Sequence, residues 1–335
     1  MKVNTGNAGT DEVNNPTNES AKKEVNTAES AITPVLPINK LENKPSQLEV
    51  VKGTQKEQMS RYSNAAVNSV TTSSKMMKQA SSNLNRKLVE EKGDDVWVNY
   101  EHEQFKSNSQ YFRDGKGTIN SVQIGVSKKL NEDTIIGGVF NESRLSNDTN
   151  DKLNQKQTLR SGDLFVKQSI GTVFAALNLG LGEIKEKGFG TQSFTKAGVM
   201  IGNEFKWDNA TLTPYANIQH YRMKGKSYKN DGANVSIEKR NVTQYGAGVD
   251  FTYDIKFDGF AIQPIVGVNY LSGEKAQSVR VNDHLFTTRF DRSIAAKYGV
   301  NVKADNVKMS LLGKSESNKE FKRNHGILAA IEVTF

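Results

Sequence analysis

The chain contains no cysteine in its 335 residues. That excludes disulfides, Cys-ligated zinc and thiol catalysis, and it suits a protein that crosses an oxidising compartment unfolded. Proline is scarce: six in all, of which Pro16, Pro34, Pro37 and Pro45 fall near the start. No run of about 18 apolar residues occurs, so no segment reads as a transmembrane helix. The mean hydropathy is low, −0.61. This leaves a membrane barrel open, because its strands are only half apolar and its lumen is polar. The 45 Lys and Arg are interspersed with 37 Asp and Glu. Without a clustered basic face, no nucleic-acid partner is expected. Met1-Lys2-Val3 leads into Asn, Thr and Gly rather than the apolar core of an export signal. Either the chain is cytoplasmic, or it is a piece whose signal lies upstream or was removed. The next segment favours the piece.

Residues 1–54 are dominated by Asn, Thr, Glu, Lys, Ser and Pro, with no apolar period of 2 or 3.6. Such a segment buries too little surface to offset its ordering entropy, so a disordered spacer is expected. Its one apolar patch is Ile32-Thr33-Pro34-Val35-Leu36-Pro37. Residues 55–92 contain neither Pro nor Gly, and Met59, Tyr62, Ala66, Val70, Met77, Ala80, Leu84 and Leu88 follow a spacing of three or four, with Ser73 filling the one gap. That predicts one long helix with a narrow apolar stripe, stopped at Gly93 and reaching roughly 50 Å. Its other faces carry Ser, Asn, Thr, Lys and Gln, which suits a water-lined pore better than a soluble core. A solvated stalk is the bland alternative.

From residue 93 onward the period changes to two. In Val173–Leu181, Tyr245–Tyr253, Phe260–Tyr270 and Val122–Val126, apolar residues alternate with polar ones or glycine. Twelve strands are predicted, at about 95–105, 118–130, 134–145, 157–169, 172–182, 193–206, 210–223, 235–253, 259–272, 285–303, 306–316 and 321–335. Most are longer than the five or six residues usual in soluble sheets and match the 9–11 of a tilted membrane-crossing strand. Short turns, such as 131–133 and 208–209, alternate with longer polar loops near 106–117, 146–156, 183–192, 224–234 and 273–284. That parity belongs to a bacterial outer-membrane barrel. The fold class expected is all-β: a 12-stranded antiparallel transmembrane β-barrel with an N-terminal α-helix inside the lumen. Tyr100, Phe105, Phe140, Phe165, Tyr215, Tyr221, Tyr253, Tyr270, Tyr298 and Phe335 lie near predicted strand ends and read as interfacial girdles. The last strand ends in alternating Ile331, Val333 and Phe335, a candidate assembly signal.

The usual marks of chemistry are missing. There is no G-x-S-x-G elbow, P-loop or H-E-x-x-H. Gly180-Leu181-Gly182 and Gly246-Ala247-Gly248 lack the third glycine of a dinucleotide fingerprint and read as small lumen-facing residues beside something bulky, or as strand bends. His102, His220, His284 and His325 have no partner spacing. No catalytic residue, metal ligand or cofactor is expected.

A polar linker, a lone helix, about twelve long strands and a terminal Phe together resemble an autotransporter translocator (β) domain, most of all that of the immunoglobulin A protease type of serine-protease autotransporter. Ser60-Arg61-Tyr62-Ser63-Asn64-Ala65, Asn83-Leu84-Asn85-Arg86, Val122-Gln123-Ile124-Gly125-Val126 and Leu212-Thr213-Pro214-Tyr215 carry the likeness, which spans about residues 57–335. The resemblance implies a monomeric outer-membrane barrel that exports its own N-terminal passenger, a serine endopeptidase, and holds the helix in its lumen. It implies as partners outer-membrane lipid and lipopolysaccharide, the barrel assembly machinery and periplasmic chaperones. One related branch cleaves its passenger in the pore, where an Asn side chain attacks its own carbonyl between two asparagines preceding Leu-Asn. Here the sequence is Ser82-Asn83-Leu84-Asn85, and a Ser hydroxyl cannot cyclise to a succinimide. Release in the linker, with Pro34 to Pro37 as the candidate region, is the expected route. A constitutive pore for small solutes is the rival reading, and a soluble β-rich binding module a third. A porin has no need of an upstream polar helix and linker.

Overall fold

The computed structural model describes residues 54–151, 154–230 and 232–335. The linker expected over 1–54, including Pro34 and Pro37, lies outside the described residues except for Thr54. Two helices come first, α1 (Gln55–Gln58) and α2 (Arg61–Glu90). Eighteen strands follow: β1 Asp95–Ser107, β2 Gly115–Lys129, β3 Thr134–Thr149, β4 Asn154–Ile170, β5 Val173–Glu186, β6 Gly190–Asn203, β7 Phe205–Trp207, β8 Ala210–Met223, β9 Lys226–Asn230, β10 Ala233–Ile237, β11 Arg240–Tyr253, β12 Ile255–Phe257, β13 Phe260–Leu271, β14 Gln277–Val281, β15 His284–Thr288, β16 Ser293–Ala304, β17 Val307–Asn318 and β18 Phe321–Thr334.

Among the described residues, the main sheet is antiparallel throughout and closes on itself. Each strand pairs with the next, and β18 returns to β1 in the register Val98↔Ile331 and His102↔Ile327. The short β7 and β12 continue β6 and β11 past single-residue breaks at Glu204 and Asp254, so the ring has twelve strand positions. Closure removes every sheet edge, the only way a sheet can satisfy its backbone in hydrocarbon. One rim is made of tight turns, several with left-handed backbone at Gly171, Asp208, Gly259 and Asp305 (φ 61°, 46°, 78° and 48°). The opposite rim carries the β1–β2 loop and the long connections that contain β9, β10, β14 and β15, beside short β5–β6 and β17–β18 turns.

Alternation sorts the side chains. Along β1 the odd-numbered residues are buried toward the lumen, and Val96, Val98 and Tyr100 face outward. Leu177 on β5 is 44% exposed and Leu181 68%, while Asn178 between them is buried. Stacked pairs Phe205–Trp207 and Phe257–Phe260 (ring centroids 6.2 and 4.8 Å) stand exposed at the short-turn rim, an aromatic girdle with Tyr253 and Phe335.

Four expectations need correction. The helix is broken at Met59–Ser60: Ser60 is an N-cap whose hydroxyl accepts from the Ser63 N–H (3.1 Å), so α2 begins anew there. It ends at Glu90 with extended backbone at Glu91, not at Gly93. The strands predicted at 235–253 and 285–303 each merge a barrel strand with a loop strand. β9, β10, β14 and β15 leave the barrel and form a separate four-stranded sheet, order β15-β14-β10-β9. Alternation runs through such departures because it reports side-chain facing, not which sheet a strand has joined. Of the predicted girdle, Phe105, Phe165 and Tyr221 are buried inside and Tyr215 is half-buried there. Phe105 and Phe165 lie over Gly117 and Gly137, where a Cβ would collide with the rings. The same economy explains the paired glycines noted in the sequence: Phe194 covers Gly182, Tyr215 covers Gly248, and Gly180 and Gly246 abut Asp163 and Asn217.

Leu177→Arg, on the outward face of β5, should destabilise the barrel by roughly 2–4 kcal/mol in a bilayer. The midpoint of urea unfolding in lipid vesicles checks this, and an unchanged midpoint would remove the lipid-facing assignment.

Candidate functional site

The lumen, with α2 inside it, is the one place where polar chemistry is concentrated. Thirty residues of α2 span about 45 Å. From Ser63 to Val89 nearly every residue is buried, on all sides. The predicted apolar stripe (Met59, Ala66, Val70, Met77, Ala80, Leu84 and Leu88) is buried, with Tyr62 half-buried at its upper end. It packs in two clusters. One, toward the long-loop rim, includes Phe105, Phe112, Tyr221, Phe290 and Phe321 and extends under the loop sheet to Val235, Val279 and Phe286. The other surrounds Leu84, Leu88 and Val89 with Trp97, Phe165 and Phe174.

The remaining faces of the helix pair with the wall. Ser74 donates to Glu274 (3.0 Å), Asn83 to Glu101 (2.7 Å), and Ser81 bonds the Tyr221 hydroxyl (2.5 Å). Gln155 reaches the Ala65 carbonyl (2.6 Å), and Ser121 donates to Gln79 (2.9 Å). Several ion pairs join a cation of the helix to a carboxylate of the wall, beside wall–wall pairs such as Lys196–Asp163 (3.0 Å) and Lys297–Asp250 (2.6 Å). Lys75 pairs with Glu103 between the rings of Phe105 and Phe321. Lys78 sits 3.5 Å from the Phe290 ring centroid. Lys87 gathers Glu91 (2.9 Å), Asp95 (3.1 Å) and Glu332 (2.5 Å), with Trp97 beneath its ammonium. Lys308 of the wall adds the reverse pair, to Glu90 (3.1 Å). Buried ions need such partners, since an unpaired one is strongly destabilising.

The upper mouth holds the chain where it leaves the lumen. The Arg113 guanidinium takes the carbonyls of Lys56 (3.0 Å) and Met59 and pairs with Asp151 (2.9 Å); its backbone N–H donates to Asn64 (2.8 Å). Arg113 thereby satisfies the groups freed by the helix break. The Gln55 amide bonds both N–H and C=O of Thr287 on β15 (3.0 and 2.7 Å), as a neighbouring strand would. Nearby, the Glu320 carboxyl is pushed up, chiefly by burial. Burial also raises Asp291, but the Arg292 backbone N–H with Lys319 and Arg289 outweighs it and holds that carboxyl below its ordinary value.

The sequence-predicted residues are scattered through this frame. Ile331 is exposed on β18 beside Val98 and Met309; Val333 is half-buried on the same face beside Val96; Phe335 is 82% exposed at the short-turn rim, where its N–H donates to Asp94 O (2.9 Å). Ser82 and Asn83 lie at mid-lumen, on a cavity of about 70 Å³ that Tyr215, Asn217 and Arg86 also line. The cavity is roomy enough for water. Arg113, Gln55 and the acidic wall had no distinguishing mark in the sequence.

A closed twelve-stranded barrel with an apolar outside and a polar lumen filled by an upstream helix is an integral protein of the bacterial outer membrane. The autotransporter beta-domain family model matches residues 96–310. The chain belongs to that family and is an autotransporter translocator domain. It is 26% identical to an adhesion and penetration protein autotransporter of Haemophilus influenzae over 82% of this chain and 20% of that protein. It is 24% identical to an IgA-specific serine endopeptidase autotransporter of Neisseria gonorrhoeae over 68% of this chain and 15% of that one. The chain thus spans about a fifth or less of these relatives. Among solved structures, the translocator domain of the autotransporter NalP from Neisseria meningitidis superposes with a TM-score of 0.57 at 11% identity, covering 81% of this chain and 99% of that one. The beta domain of the Bordetella autotransporter BrkA gives 0.58 at 14% identity, covering 72% and 100%.

Lys87→Met should destabilise the folded barrel by roughly 3 kcal/mol, because it strands three carboxylates that one ammonium now holds. Urea unfolding in detergent checks it. A loss below about 1 kcal/mol would mean that Lys308, which also pairs with Glu332 (3.1 Å), suffices.

Proposed function

We propose that this chain anchors and exports an N-terminal passenger, a serine endopeptidase, at the bacterial surface. One observation carries the reading: the polypeptide runs through the barrel, from the mouth where Gln55 and Arg113 hold it to the short-turn rim where α2 meets β1. Anything joined ahead of residue 54 is therefore delivered on the long-loop side. In this division 1–54 is the linker, 55–92 the segment that contains the lumen helix α2, and 93–335 the translocator barrel. The protease assignment rests on the relatives' names, among them an IgA-specific serine endopeptidase autotransporter.

The helix then seals a pore that would otherwise leak. Release of the passenger falls in the linker, by its own protease, with Pro34–Pro37 as the candidate region. Within the lumen, Asn83 gives its side-chain N–H to Glu101, and Ser82 precedes it in place of a second asparagine. The last strand, with Ile331, Val333 and Phe335, is read by the barrel assembly machinery through strand addition, after periplasmic chaperones have carried the chain.

Deleting 55–92 should raise single-channel conductance several-fold in planar bilayers; equal conductance with and without it would favour a constitutive pore instead. An epitope placed ahead of Met1, behind an export signal, should be cleaved by protease added to intact cells, and Phe335→Ser should reduce that surface signal. An epitope protected in intact cells but cleaved after lysis would overturn the export reading.

A further inference from the structure

On the outside of the barrel, where β18 closes on β1, three lysines stand side by side. Lys322 of β18 is opposite Lys106 of β1, and Lys106 is opposite Lys116 of β2. All three are exposed on the outward face, near the long-loop ends of their strands. Directly opposed residues in an antiparallel sheet lie about 5 Å apart, and like charges so placed repel. None of the three pairs with a carboxylate among the described residues. Asp148, opposite Lys116 on β3, is bonded by Asn154 instead (2.5 Å). A bulge between Gln104 and Lys106 marks the same point in the seam.

Below the lysines, toward the membrane, lies a polar ladder. His102 bonds Asn120 (2.7 Å) and Gln104 (3.1 Å), and the Tyr100 hydroxyl donates to Asn120 (3.0 Å). Beside it is a groove of about 920 Å³, reached by Lys106, Lys116, His102 and His325 at its upper end and walled below by Tyr298, Leu311 and Ile327. Cation, hydrogen-bonding and apolar zones thus follow one another down the wall.

We propose that this groove binds a phosphorylated glycolipid of the outer leaflet, lipopolysaccharide, across the closing seam. Its phosphates neutralise the Lys322–Lys106–Lys116 row, its glucosamine groups face the His102–Asn120–Gln104 ladder, and its acyl chains lie on Leu311 and Ile327. Polar groups on this face would be misplaced against a purely hydrocarbon neighbour, and an anionic headgroup is the chemistry that relieves a three-lysine repulsion. Because the lipid touches β18, β1 and β2 together, it clamps the closure on which the barrel depends. The inference deepens the outer-membrane reading and rests on it.

The test uses the full chain refolded in detergent and incubated with bisphosphorylated lipid A, with retained lipid counted by native mass spectrometry. Lys106→Gln/Lys116→Gln/Lys322→Gln should weaken retention by roughly a hundredfold, since each surface lysine contributes several-fold to holding an anionic lipid. The control Lys128→Gln/Lys129→Gln/Lys256→Gln removes equal charge near the short-turn rim and should bind as the parent chain does. Dephosphorylated lipid A should bind as weakly as the first variant, and inorganic phosphate should not compete. Equal retention by parent and first variant, equal binding of the dephosphorylated lipid, or displacement by inorganic phosphate would each overturn the site. Gel mobility before and after boiling reports barrel formation separately. A folded barrel that retains no lipid A defeats only this proposal, whereas a chain with no heat-modifiable band defeats the outer-membrane reading beneath it.

Discussion

Hydrocarbon offers no hydrogen bonds, so a sheet in a membrane must have no edge. The pairing of β18 with β1 is therefore the contact on which the rest of this molecule depends. Once the ring closes, every strand has two neighbours, and the period-two alternation acquires two destinations: lipid for Val98, Ile124, Leu177 and Ile331, lumen for Asn99, Gln123, Asn178 and Glu332. The seam is also where the last residues of the chain, ending in Phe335, meet the first strand after the helix. Closure cannot be completed until the whole barrel sequence is present.

Closure creates a second problem, a polar tube through the membrane, and α2 answers it. Its burial differs in kind from that of a core helix in a soluble protein. An apolar stripe serves only part of its circumference; the remainder is matched by hydroxyls, amides and carboxylates of the wall. Lys87 against Asp95 and Glu332, and Lys75 against Glu103, join cations of the plug to anions of the wall, and Glu91 at the helix end adds a third carboxylate to Lys87. Each group left alone would be a buried charge, so helix and wall hold each other in register. The cavity by Ser82 and Asn83 shows that the fit stays loose at mid-lumen.

At the outer mouth the balance changes from charge to packing. The loop sheet of β9, β10, β14 and β15 covers the upper cluster, and Arg113 and Gln55 fix the chain as it emerges. A continuous helix would have carried residues 55–60 straight on. The Ser60 cap and the Arg113 guanidinium stabilise a break instead, and the break turns the chain toward the edge of β15.

Much of this was legible in the chain itself. Absence of an apolar run, strands of membrane-crossing length, alternating turn lengths and the stripe from Met59 to Leu88 are local properties, and local properties survive in a one-dimensional pattern. They determined a twelve-stranded barrel with an upstream helix, most strand limits to within a few residues, and the outward face ending at Ile331 and Phe335. Only the tertiary structure decided which partners meet. Phe105, Phe165 and Tyr221 looked like girdle aromatics and proved to be lumen packing, because facing depends on the parity of each strand in the closed ring. The loop sheet, the Arg113 clasp, the Lys87 cluster and the Lys322–Lys106–Lys116 row join residues that are remote in sequence. The physical reason is that periodicity encodes which way a side chain points, whereas strand register and ring closure set what it points at.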